Sequence, residues 1–161
     1  MDGISYTIPH LCAGGWLSVI SRPDWTARVL QLADPDSYES FLQRAEAGEY
    51  GQAEINRLAR SVLSEASGRT WWEAERLIAQ LRHDPLLGAV LSTGADPSRL
   101  TLAAFLSVIY AVLVRGADHR ARTQIEAELT IPPPEAAGEG PEEDMSAMVS
   151  RMRAMPGVST G

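Results

Sequence analysis

The feature that most constrains this chain is an uncharged run, LTLAAFLSVIYAVLV at 100–114, which is apolar nearly all round. At a rise of about 1.5 Å per residue it falls short of the roughly 20 residues that a helix needs to cross a bilayer. In water such a segment is stable only when other elements enclose it. It therefore predicts a buried central helix with amphipathic helices packed around it.

The rest of the chain supplies those helices. Prolines and glycines divide it, and between them apolar residues recur three and four positions apart, the period of one helix face, with hardly any strand-type alternation. Pro9 suits the first turn of a helix running to about Ile20, with a loop or kink as the alternative because Gly14 and Gly15 weaken it. Asp24 suits an N-cap, after which Trp25, Val29 and Leu32 define an inward stripe. Asp34 and Pro35 open a further helix with Tyr38, Phe41, Leu42 and Ala45 on one face, ended by Gly48 and Gly51. Over 52–66, Ile55, Leu58, Ala59, Val62, Leu63 and Ala66 point inward, while Arg57, Arg60 and Glu65 turn to water.

Gly68 suits the close of that helix, and Thr70-Trp71-Trp72-Glu73 spells a capping box. The Thr70 hydroxyl takes the third amide, and Glu73 reaches back to the amide of Thr70. A helix from Trp71 to about Arg82 follows, with Trp72, Leu77, Ile78 and Leu81 on or near its buried side. Asp84-Pro85 breaks or kinks it, leaving a short apolar turn at 86–91. Asp96-Pro97 interrupts the chain again before the central run. Asp118 then caps a last helix with Ala121, Ile125 and Leu129 inward and Arg120, Arg122, Glu126 and Glu128 outward.

At Pro132-Pro133-Pro134 the character changes. Glu135, Glu139, Glu142, Glu143 and Asp144 stand among prolines and glycines with hardly a bulky apolar side chain, too little to offset the chain entropy of folding. Beyond them Met145, Met148, Met152 and Met155 fall three, four and three apart, which aligns them with Val149 on one face of a short helix. The expected organisation is all-α: a single compact multi-helix bundle over 1–131, a disordered Pro/Gly/Glu linker over 132–144, and a Met-rich tail with a short helical segment over 145–161.

Charge and chemistry narrow the function. All 14 basic residues are arginine, yet the formal net charge is −7, which argues against a phosphate-binding surface for nucleic acid. Asp2 and the lack of a basic start followed by an apolar stretch argue against a signal peptide. Cys12 is the one cysteine, so neither a disulfide within the chain nor a thiolate metal cluster is available, and it reads as a small buried thiol. His10, His83 and His119 lie too far apart to form a helical metal-ligand pair. Gly14-Gly15 lacks the context of a phosphate loop, and Glu73 and Glu75 diverge on a helix, Glu73 being occupied as a cap partner. No catalytic, cofactor-binding or metal site is expected, and the reading is of a protein that binds another protein.

Two places suit such binding. Trp71-Trp72 reads structurally as one ring in the core and the other over a neighbouring helix or loop, or functionally as an exposed contact spot, since tryptophan is favoured at interface centres. The face formed by Met145, Met148, Val149, Met152 and Met155 reads either as an accidental pattern in a tail or as an adaptable apolar surface.

Three elements carry a resemblance. GRTWWEAERLIAQ (68–80), GADPSRLTLAAFLSVIYAVLVRGAD (94–118) and AELTIPPP (127–134) resemble, in order, motifs of the tail assembly chaperones of long-tailed phages of actinobacteria. In that family a G-R-x-W-W-x-A-x-R-L element opens a helix, a G-x-D-P-x-x-L turn precedes an apolar helix, and a proline triplet ends the folded part. The lysine-free composition agrees with a GC-rich host. The resemblance implies a helper in the host cytoplasm that binds the tape measure protein, keeps it soluble while tail tube subunits assemble around it, and is absent from the mature virion. It also implies a second, longer product made by ribosomal frameshifting near the acidic linker and the Met segment. The competing expectation is a structural virion protein, a minor tail or head-tail connector subunit.

Overall fold

The computed structural model describes residues 8–33, 43–44, 46–49 and 51–138. Seven α-helices run through them: α1 Ala13–Ile20, α2 Trp25–Ala33, α3 Gln52–Ser67, α4 Trp71–Gln80, α5 Asp84–Ser92, α6 Leu102–Leu113 and α7 His119–Thr130. No strand occurs among the described residues. The chain divides into two units, Met1–Ile131 and Pro132–Gly161, and all seven helices belong to the first. Of the stripe expected in the 30s and 40s, Tyr38, Phe41, Leu42 and Ala45 lie outside the described residues.

The apolar run is the pivot of the bundle. Thr101 accepts the amide of Ala104 at 3.2 Å and so starts α6. Leu102, Phe105, Leu106 and Ile109 are then buried, each removing apolar surface worth roughly 1.5–3 kcal/mol from water. Helix α6 packs against α1, α3, α4 and α5, with α2 lying on α1 and α3, and α7 on α4. The run is not enclosed all round, however. Ala104, Ser107 and Ala111 remain exposed, and because they are small or polar the exposure is cheap.

Local signals account for most helix ends. Gly68 closes α3 at φ 64°, the left-handed conformation that a side chain resists, and Ser67 is buried with its hydroxyl satisfied by neighbouring backbone. Asp118 accepts the amide of Ala121 at 2.8 Å and starts α7, as its position implies. Gly48, at φ 78°, ends the turn that precedes α3, whose own first turn is steadied by Glu54 accepting the amide of Gly51 at 2.9 Å.

Several expectations require correction. Helix α1 begins at Ala13 and includes Gly14 and Gly15, because the turn at 97–100 supplies what glycine lacks: the carbonyls of Leu100 and Pro97 accept the amides of Ala13 and Gly14, both at 2.8 Å. Cys12, read as buried, is exposed at the position just before that helix. In α2 the buried residues are Val29, Leu30 and Ala33, whereas Leu32, about 100° round the helix from Ala33, is 40% exposed. The apolar turn after Asp84-Pro85 is a helix, since a proline in the first turn withholds only an amide that has no intrahelical partner.

Arg60, assigned to water, is half-buried, with its guanidinium 3.9 Å from the centre of the Trp71 ring. In the second unit, Pro134–Gly138 forms a 3-10 helix inside the segment expected to be disordered, with the Ala136 amide donating to Pro133 at 2.9 Å. The remainder of the expected linker and the Met-rich tail lie outside the described residues.

Candidate partner-binding site

The candidate site is built around the first two turns of α4. Its capping box is complete: the Glu73 amide donates to the Thr70 hydroxyl at 3.4 Å, and Glu73 accepts both the amide of Thr70 at 3.1 Å and its hydroxyl at 2.7 Å. The box fixes where the helix starts, and thereby which way the two consecutive tryptophans point. They meet edge to face with ring centres 5.6 Å apart, an arrangement the ring quadrupoles favour.

Adjacent positions on a helix point about 100° apart, so the two rings have different surroundings. Trp71 joins Ala74 and Leu77 on the buried side of α4 and is 7% exposed, with Arg60 of α3 across its face. Trp72 is half-buried, and its indole Nε1 donates to the carbonyl of Thr130 at 3.3 Å. Of the pair, Trp72 therefore offers the larger area to a partner. Met145, Met148, Val149, Met152 and Met155 lie outside the described residues.

One turn after Trp72 stands Arg76. Helix α7 ends in extended backbone at Ile131 rather than in a left-handed glycine, so its last carbonyls need partners from elsewhere. Arg76 provides them: one terminal nitrogen donates to the carbonyls of Glu128 at 2.8 Å, Leu129 at 3.0 Å and Ile131 at 2.6 Å. Together with Trp72 it gathers four successive carbonyls, 128–131, and a cation at a helix C-terminus is also favoured by the helix dipole.

A second tie joins α7 to α6. The Tyr110 hydroxyl donates to Glu126 at 2.8 Å, and this hydrogen bond, with some burial and the carboxylate charge, pushes the phenol above its ordinary pKa. The Arg69 guanidinium lies 5.6 Å from the Tyr110 ring centre.

Sequence reasoning missed two features here. Arg76 was given no role by the sequence, and since it binds backbone carbonyls more than fifty positions away, no side-chain pattern announces it. Leu87 and Leu91, one turn apart on α5, are 36% and 47% exposed; once 86–91 is taken as a helix rather than a turn, their spacing of four reveals a shared face. His10, His83 and His119 are all exposed, and among the described residues no group of three His, Cys, Asp or Glu side chains is placed to hold a metal ion. No helix of the described residues is long and apolar enough to cross a membrane. The chain matches no family model, no curated protein and no solved structure.

Proposed function

We propose that this chain is a phage tail assembly chaperone: it binds the tape measure protein, keeps it soluble and assists tail tube assembly in the host cytoplasm without entering the finished virion. The observation that carries the reading is that the three elements of the resemblance are bound to one another and to the core. The tryptophan element forms α4, the G-x-D-P-x-x-L element forms the turn and helix α6 on which α1 and α4 rest, and the last element ends α7 at the carbonyls gathered by Trp72 and Arg76.

The physical chemistry supports the same reading. A tape measure protein is a long, largely helical chain with apolar seams, and a small helical domain masks such seams by helix-in-groove contact. This chain has apolar surface to spare in Leu32, Leu87, Leu91 and the half-buried Trp72. The net charge of −7 keeps the free chaperone soluble while that surface waits.

Co-expression of the full chain with the tape measure protein of its phage is the test. The proposal expects a clear gain in soluble tape measure and co-purification of the two; neither effect would count decisively against it. Mass spectrometry of purified particles separates the competing role, because abundant peptides from 53–69 in virions would identify a structural subunit instead.

A further inference from the structure

Helix α7 is fastened to the bundle largely by polar contacts at its C-terminal end. Of its residues only Leu129 is buried; Ala121 and Ile125 are half-buried, and most of the remainder face solvent. It packs mainly on α4, and polar ties hold it further: Trp72 to Thr130, Arg76 to Glu128, Leu129 and Ile131, and Tyr110 to Glu126. By contrast α3 and α6 each bury four residues and touch several helices. A segment with little buried apolar surface, held at its end by exchangeable hydrogen bonds, opens locally at a lower free energy than the core around it.

The α4 surface beneath it is also of a kind that receives a helix. Arg76 presents a guanidinium to helix-end carbonyls, and Trp72 presents an indole donor beside a large apolar ring. The helix already seated there, with Ile125 and Leu129 one turn apart, displays what fits. We propose that α7 is a displaceable strap, which opens as a local unit and bares the Trp72–Arg76 face of α4 to an amphipathic helix of the partner carrying a similar apolar pair. The partner half of this inference rests on the chaperone reading; the opening of the strap does not.

Hydrogen-exchange mass spectrometry on the full chain tests the opening. Amides of α7 are expected to exchange at least about tenfold faster than those of α3 and α6, and Arg76→Ala should speed α7 further while leaving α3 and α6 as they were. Exchange of α7 in step with α3 and α6 in the wild-type chain overturns the strap without recourse to any variant. For Arg76→Ala, loss of protection throughout the bundle likewise overturns it, because Arg76 would then be holding the whole fold; the milder Trp72→Phe, which keeps the ring and removes only the indole donor, should reproduce the selective effect on 128–131.

Adding a helical tape measure segment then tests the displacement. Amides of α4 should gain protection as those of α7 lose it. Binding that protects α7 as well as α4 overturns displacement. Absence of any binding sinks the chaperone reading and the partner half together, and leaves the strap to be decided by exchange in the free chain.

Discussion

Replacing Leu106 by alanine tests the central place of α6. Leu106 is fully buried on the middle turn of that helix, which packs against α1, α3, α4 and α5. Leu→Ala in a core costs about 2–5 kcal/mol: the lost transfer energy of the deleted atoms plus a cavity term that grows when the walls cannot collapse. Here the walls belong to different helices with their own anchors, so partial collapse is hindered and a cost of about 3–4 kcal/mol is expected. Against a total stability of roughly 5–15 kcal/mol this is a large fraction, and for a domain of this size it lowers Tm by about 10 °C or more. Urea unfolding followed by far-ultraviolet circular dichroism gives the free energy, with Ala111→Ser on the exposed side of the same helix as a control expected to stay within about 0.5 kcal/mol. A loss below about 1 kcal/mol for Leu106→Ala, or equal losses for the two variants, would refute the placement of this face at the centre of the bundle.

Three further outcomes follow from particular contacts. Thr70→Ala removes the hydroxyl of the capping box and should cost about 1 kcal/mol in the same unfolding assay, with no loss meaning that the cap is not formed in solution. Because the folded-state pKa of Tyr110 is raised above its ordinary 10.0, the tie to Glu126 stabilises the fold fully below that pH and is lost as pH rises through the folded value; Tyr110→Phe should abolish this alkaline component of the stability profile, and an unchanged profile would contradict it. Cys12, being exposed, should react with a thiol reagent in the native protein at a rate close to that in denaturant, whereas protection until unfolding would place it in the core.

Much of the fold was legible because it is written locally. The capping box at Thr70, the cap at Asp118, the left-handed Gly68 and the rhythm of Val62 and Leu63 in α3 depend on neighbours within one or two turns, and the structure has them as expected. What was not legible depends on distant backbone. Gly14 and Gly15 start a helix because carbonyls at 97–100 accept amides of α1, and Arg60 leaves water because Trp71 of the next helix offers a ring face. Leu32 is a subtler failure: a stripe of spacing four and three was available at Trp25, Val29 and Leu32, yet the packing of α2 on α1 and α3 selects Val29, Leu30 and Ala33 instead.

The candidate site divides in the same way. The double tryptophan stood out in the sequence, but its two rings are separated in role by the register of α4: Trp71 faces the core, and Trp72 is tied to the end of α7. Arg76, which completes that tie, acts on carbonyls, and carbonyls are common to every residue. No periodicity could have assigned it.

The claim that this chain serves by covering another protein's apolar surface is tested most directly by dilution of the denatured tape measure protein into buffer containing the full chain, with aggregation followed by light scattering. The account predicts that scattering is suppressed at near-stoichiometric ratios and that a soluble complex of the two chains elutes together. Scattering equal to that with the same mass of an unrelated acidic protein, and separate elution, would contradict it.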